Sequence, residues 1–266
     1  MVLEATGGYE VPLAAALATA GVPVAVVNPR QARDFAKAIG QLAKNDRIDA
    51  AVLAHFAEAI RPAPRPLPDD EIRSLDALLT RRRQLLEMRT MEQNRLGSCG
   101  DAAVRADLQS HIAWLNERLL RSEQELKEAV QASPVWRAKD ELLQSIKGIG
   151  PVASQTLLAA LPELGAVTNK QAAALAGLAP YDDDSGQRRG VRHVRGGRAC
   201  VRSALYLAAL SAARYNPALR AFKERMEGRG KNAKVILTAV ARKLLVLANA
   251  VLRDGRPWGP ERAATA

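Results

Sequence analysis

The chain has 266 residues, 48% of them hydrophobic, which is enough to fill a sizeable core and excludes a disordered tail. Lysine and arginine number 39 against 28 aspartates and glutamates, and the net charge of +11 points to a polyanionic partner, nucleic acid first. The cysteines Cys99 and Cys200 and the histidines His55, His111 and His193 lack metal-ligand spacing, which argues against zinc and for a reducing, cytoplasmic setting.

Residues 1–61 read as α/β. Val2 and Leu3 end a strand at Glu4, Thr6-Gly7-Gly8 turns the chain, and Val11 to Ala20 forms an apolar helix. The β-branched run Val22 to Val27 predicts a buried parallel strand that Asn28-Pro29 stops. Helices follow from Ala32 and from Lys44-Asn45-Asp46-Arg47-Ile48-Asp49 through Ile60. Asp46 and Asp49 stand at i and i+3, so both carboxylates leave one helical face and can reach one cation. Glu4 lies at a strand's C-terminal end, where open α/β sheets place their chemistry. Each has a plainer alternative: Glu4 as a salt-bridged strand end, Asp46 as an N-cap, and Asp49 as a surface carboxylate.

Residues 62–68 form a stiff proline-rich linker and mark a domain boundary. Asp69 to Leu96 and Val104 to Val130 then read as two long helices joined at Gly97-Ser98-Cys99-Gly100, an antiparallel arm over residues 69–132. Leu108, Ile112, Leu115, Leu119 and Leu126 recur at three- and four-residue steps, the pattern of a coiled-coil seam. Ile72, Leu75, Leu79, Leu86 and Leu96 make a less regular stripe opposite.

Residues 133–255 form a helical domain, with 256–266 as a tail. Within it, LLQSIKGIGPVASQTLLAALP reads as helix, tight turn, helix and resembles the helix-hairpin-helix module, whose turn amides hold a DNA phosphate. Lys147, Gly148 and Gly150 are the candidates there, and an ordinary helical hairpin is the alternative. A helix from Lys170 to Leu178 leads to PYDDDSGQRRGVRHVRGGRACVR, which carries one serine, Ser185, between three aspartates and a glycine-punctuated arginine run. Arg188, Arg189, Arg192, Arg195 and Arg198 are shaped to grip phosphate in a two-pronged fork, and a hydroxyl among them is placed to attack phosphorus. The alternative is a solvated turn in which Ser185 caps its own backbone. Helices over Ala199 to Arg214, Ala218 to Glu227 and Ala233 to Arg253 complete the chain. The most apolar stretch, Val235 to Leu252, is interrupted by Arg242 and Lys243, no signal-peptide pattern opens the sequence, and no membrane partner is expected. The fold class expected is α/β plus all-α.

The segments LEATGGYE, VVNPRQARDFAKA and KNDRIDA resemble the RuvC-like (RNase H-like) domain of the insertion-sequence one-ten family of transposases, bridge-RNA-guided DNA recombinases. SIKGIGPVASQTLLAALP, KQAAALAGLAP, DDDSGQRRG and ALYLAAL resemble the same family's C-terminal transposase domain. The resemblance implies that Glu4, Asp46 and Asp49 belong to a DEDD set binding Mg²⁺ and that Ser185 is the nucleophile that cuts and rejoins DNA. It further implies DNA and a guide RNA as partners and a homo-oligomer, dimer or tetramer. The family's first aspartate lies upstream of the glutamate, whereas this sequence begins three residues before Glu4. Either the true start lies further upstream or the chain is an N-terminally truncated remnant, and a chain lacking that ligand and the opening strands is expected to be a poor recombinase. Two other classes compete: a non-catalytic nucleic-acid-binding protein, and a metal-dependent structure-specific nuclease in which water attacks.

Overall fold

The structure, a computed structural model, describes residues 1–64, 70–188 and 190–259 and divides into two compact units, Met1–Asp69 and Asp70–Ala266. An α/β segment precedes an almost wholly helical one, the class expected.

The first unit pairs β1 (Val2–Glu4) in parallel with β2 (Ala25–Val27), Val2 opposite Ala25 and Glu4 opposite Val27, with α1 (Glu10–Thr19) as the crossover between them. β2 is shorter than the valine-rich run around it for a local reason. The Val22 amide closes the end of α1 by donating to the Leu17 carbonyl at 2.9 Å, and Pro23 has no N–H, so the ladder starts beyond them. α2 (Pro29–Ala38) begins three residues earlier than the sequence pattern suggests, because Asn28 accepts from the Arg30 amide at 2.9 Å and Pro29 fits the first helical position. α3 (Asp46–Ile60) packs on α2 through the edge-on rings of Phe35 and Phe56, 5.4 Å apart. Residues 65–68 of the expected linker lie outside the described residues.

In the second unit, α4 (Asp70–Ser98) and α5 (Ala102–Ala132) run antiparallel, as their cross-pairs converge: Arg82 to Glu123, Arg89 to Asn116, Glu92 to His111, and Arg105 to the Leu96 and Cys99 carbonyls. α4 continues through Gly97, because the Arg105 guanidinium donates to the Leu96 carbonyl in its last turn and to the Cys99 carbonyl just beyond it, both at 2.9 Å, and Ser98 back-bonds to the same turn. Leu85, Leu115 and Leu119 make a small core along the pair, while Leu75, Leu126 and Val130 at its base join the main core.

That main core is built by α6 (Pro134–Gln144), α7 (Pro151–Ala160), α8 (Asn169–Leu175), α9 (Ala199–Tyr215), α10 (Pro217–Glu227) and α11 (Ala233–Asp254). α11 is long and apolar enough to cross a membrane, and half of its most apolar stretch is buried inside the fold. Ile236, Val240, Leu244 and Val251 turn into the core, where each fully buried aliphatic side chain contributes about 2 kcal/mol. Between α8 and α9 the chain leaves the helical body as a hairpin, β3 (Pro180–Tyr181) pairing antiparallel with β4 (His193–Val194).

Candidate active site

The hairpin between α8 and α9 has a fixed foot and an exposed tip. At the foot, Gly177 and Gly197 bring their backbones together so closely that a Cβ on either would overlap the other strand's main chain, and Gly177 also takes a positive φ of 67°. Arg202 locks the same corner by donating to the Gly196 carbonyl at 2.6 Å, and the Arg198 amide donates to the Leu175 carbonyl at 2.8 Å. Further out, Arg192 pairs with Asp182 at 2.5 Å and the Arg195 guanidinium lies 5.7 Å from the Tyr181 ring centre, each tying one strand to the other. Gly190 donates to the Asp184 carboxylate at 3.0 Å and passes so near the Asp183 carbonyl that only glycine fits. At the tip, Ser185 and Arg188 exchange both backbone hydrogen bonds, 3.1 and 2.9 Å, around Gly186 at φ 55°. Ser185 is exposed, and Arg188 is exposed beside it with no carboxylate in ion-pair reach among the described residues. Arg189 lies outside the described residues.

The remaining predicted phosphate contacts divide. Lys147 and Gly150 are exposed on the turn between α6 and α7. Gly148, at φ 111°, is instead half-buried against Ala212 of α9, where an added Cβ would overlap the Ala212 side chain and backbone. Arg198 forks onto Glu163 through two 2.6 Å bonds, so its guanidinium binds the loop before α8. Neither partnership is visible in a local motif, since Glu163 and Ala212 are distant in sequence. The buried Asp140 was also missed; it accepts from Ser154 at 2.5 Å and Gln144 at 2.7 Å and staples α6 to α7.

In the first unit, Asp46 and Asp49 open α3 behind the Asn45 cap, which accepts from the Ile48 amide at 2.9 Å. They share a helical face as their spacing requires, with Asp46 exposed and Asp49 half-buried. Glu4 ends β1, half-buried, opposite Val27. As the complete donor set of a cation these three do not fit, because among the described residues no group of three histidines, cysteines, aspartates or glutamates comes together. The glycine turn after Glu4 has another carboxylate at its centre: Glu10 accepts from the Thr6 and Gly8 amides at 2.9 and 3.0 Å. Burial raises its pKa, but those bonds, with its own amide and the Thr6 hydroxyl, outweigh burial and hold the carboxyl below its ordinary value.

Comparison with known proteins places both units. A family model described as transposase, of the DEDD type of IS110, matches residues 1–102, and one described as transposase IS116/IS110/IS902 family matches residues 140–224. The chain is 32% identical to a pilin gene-inverting protein of Moraxella bovis over 268 residues, covering 97% of this chain and 81% of that one. The same identity and coverage hold for the pilin gene-inverting protein of Moraxella lacunata. An insertion element IS110 protein of 43.6 kDa from Streptomyces coelicolor is 29% identical over 165 residues, 59% of this chain and 40% of that one.

Proposed function

We propose that this chain, which belongs to the IS110 family of transposases, cuts and rejoins DNA through the hydroxyl of Ser185. The observation that carries the proposal is the exposed serine at the tip of an arginine hairpin whose foot is pinned to two helices. Attack of the Ser185 oxygen on a backbone phosphorus forms a serine–phosphate ester, releases a sugar hydroxyl and gives up the serine proton to a base or water. Reversal by a second sugar hydroxyl restores the phosphodiester, so no external energy source is needed. Arg188 supplies charge beside the reacting phosphate, while Arg192 and Arg195 hold the hairpin in shape through Asp182 and Tyr181. The Moraxella relatives are named for inverting a pilin gene, a rearrangement in which every cut end is rejoined, and that chemistry suits a covalent intermediate.

Two further parts belong to the same reading. Mg²⁺ is the ion suited to an acidic DEDD set, with Glu4, Asp46 and Asp49 as this chain's contribution to it. A guide RNA that pairs with the DNA would leave the protein to read backbone and shape, a task suited to arginines and to the exposed turn at Lys147 and Gly150. A homo-oligomer is the expected assembly, since rejoining exchanged ends requires more than one cut strand.

The test is incubation of the purified chain with DNA carrying its element's ends, followed by denaturing electrophoresis. A covalent protein–DNA band that disappears in Ser185→Ala supports the reading. Mg²⁺-dependent cutting that persists in Ser185→Ala would favour a nuclease using water.

A further inference from the structure

α10 and the start of α11 carry charge that the hairpin chemistry does not use. Between Arg220 and Lys243 stand eight basic residues against only Glu224 and Glu227, so 24 positions carry an excess of six out of the chain's net +11. Lys223 pairs with Glu227 at 3.4 Å, whereas Arg220, Arg229, Lys231 and Lys234 are exposed and, among the described residues, have no carboxylate in ion-pair reach.

The cations are also crowded onto one another. The Arg225 guanidinium and the Lys243 ammonium approach the same Phe222 ring, 5.3 and 4.9 Å from its centre. Burial, and then the neighbouring Arg225, draw the Lys243 pKa below its ordinary value. Just before α10, Tyr215 is 63% exposed with the Arg214 guanidinium 5.9 Å from its ring centre, a flat surface suited to an unpaired base. The Asn216 side chain then donates to the Lys147 carbonyl at 3.3 Å, joining the start of α10 to the exposed turn between α6 and α7.

We infer that α10, the 228–232 turn and the first turn of α11 form a nucleic-acid backbone interface separate from the serine hairpin, with Arg220, Arg229, Lys231 and Lys234 as its phosphate contacts and Tyr215 as a stacking platform at its edge. A single small anion would leave most of these cations unmatched, whereas a repeating phosphate chain meets them in series and releases its counterions as it binds. The surface holds a strand while Ser185 acts elsewhere on the same unit. It predicts binding that survives loss of the serine.

The experiment compares the full chain with the triple variant Arg229→Gln, Lys231→Gln, Lys234→Gln, all exposed positions, by fluorescence anisotropy across a salt series. The probes are a labelled DNA duplex and a labelled RNA hairpin, and circular dichroism checks that the helices are retained. The expected result is a roughly tenfold or larger loss of affinity and a log–log salt slope shallower by about two to three for at least one probe. Loss for DNA alone assigns the surface to DNA, and loss for RNA alone to RNA. Unchanged affinity and slope for both probes would overturn the inference. Ser185→Ala is the control that separates the two claims: it removes the covalent band under the proposed function yet keeps this salt-dependent binding.

Discussion

Gly148 is held close against its neighbour Ala212. Its backbone sits at φ 111° with Ala212 where a side chain would go, so Gly148→Ala should cost about 2–4 kcal/mol through overlap and backbone strain. Urea denaturation measures this, and a loss under about 0.5 kcal/mol would mean that α9 yields easily. Glu10 gives a pH signature. Its folded pKa lies below the ordinary 4.5, so the stabilisation it provides is complete above about 4.5 and is lost as pH falls through the folded value. The stability gap between wild type and Glu10→Gln should therefore narrow in acid, and a gap constant down to pH 3 would contradict the assignment. The exposure of Ser185, Arg188, Arg192 and Arg195 was legible because polar residues and glycines of that density cannot be buried. The partnerships of Arg198 with Glu163 and of Gly148 with Ala212 were not, because they join positions 35 and 64 apart that no local pattern links.

At the scale of elements, the helices were readable from periodicity and punctuation, and the departures have local causes. α2 starts early because Asn28 caps it, β2 starts late because Val22 and Pro23 cannot join the ladder, and α4 overruns Gly97 because Arg105 satisfies its end. Buried polar residues were the hidden part, since a lone asparagine in an apolar run carries no sequence signal. Asn249 of α11 is fully buried, accepts from the Gly165 amide at 2.8 Å and donates to the Val167 carbonyl and the Asn169 side chain at 2.9 Å. It is the joint between α11 and the loop entering α8. Asn249→Ala would take away the partner of the half-buried Gly165 amide and Val167 carbonyl and of the Asn169 side chain, a loss of about 1–3 kcal/mol with α11 still helical. Calorimetry would detect this as a lowered Tm, and an unchanged Tm would show that water replaces the side chain without cost.

At the scale of the whole molecule, one family match spans the α/β unit and runs on through α4, the other lies within the helical unit, and the serine hairpin and the α10–α11 surface both belong to that helical unit. The hairpin is small and lacks a core of its own, so its geometry depends on glycines at its foot and cross-strand pairs along its length. On that scaffold Ser185 and Arg188 are both exposed. The most direct measurement is mass spectrometry of the peptide that carries nucleotide after a trapped protein–DNA complex is digested with protease and nuclease. The account predicts one modified peptide, with the phosphodiester on Ser185. A nucleotide on Tyr181 or any other side chain, or a cleaved DNA end with no peptide attached, would contradict it.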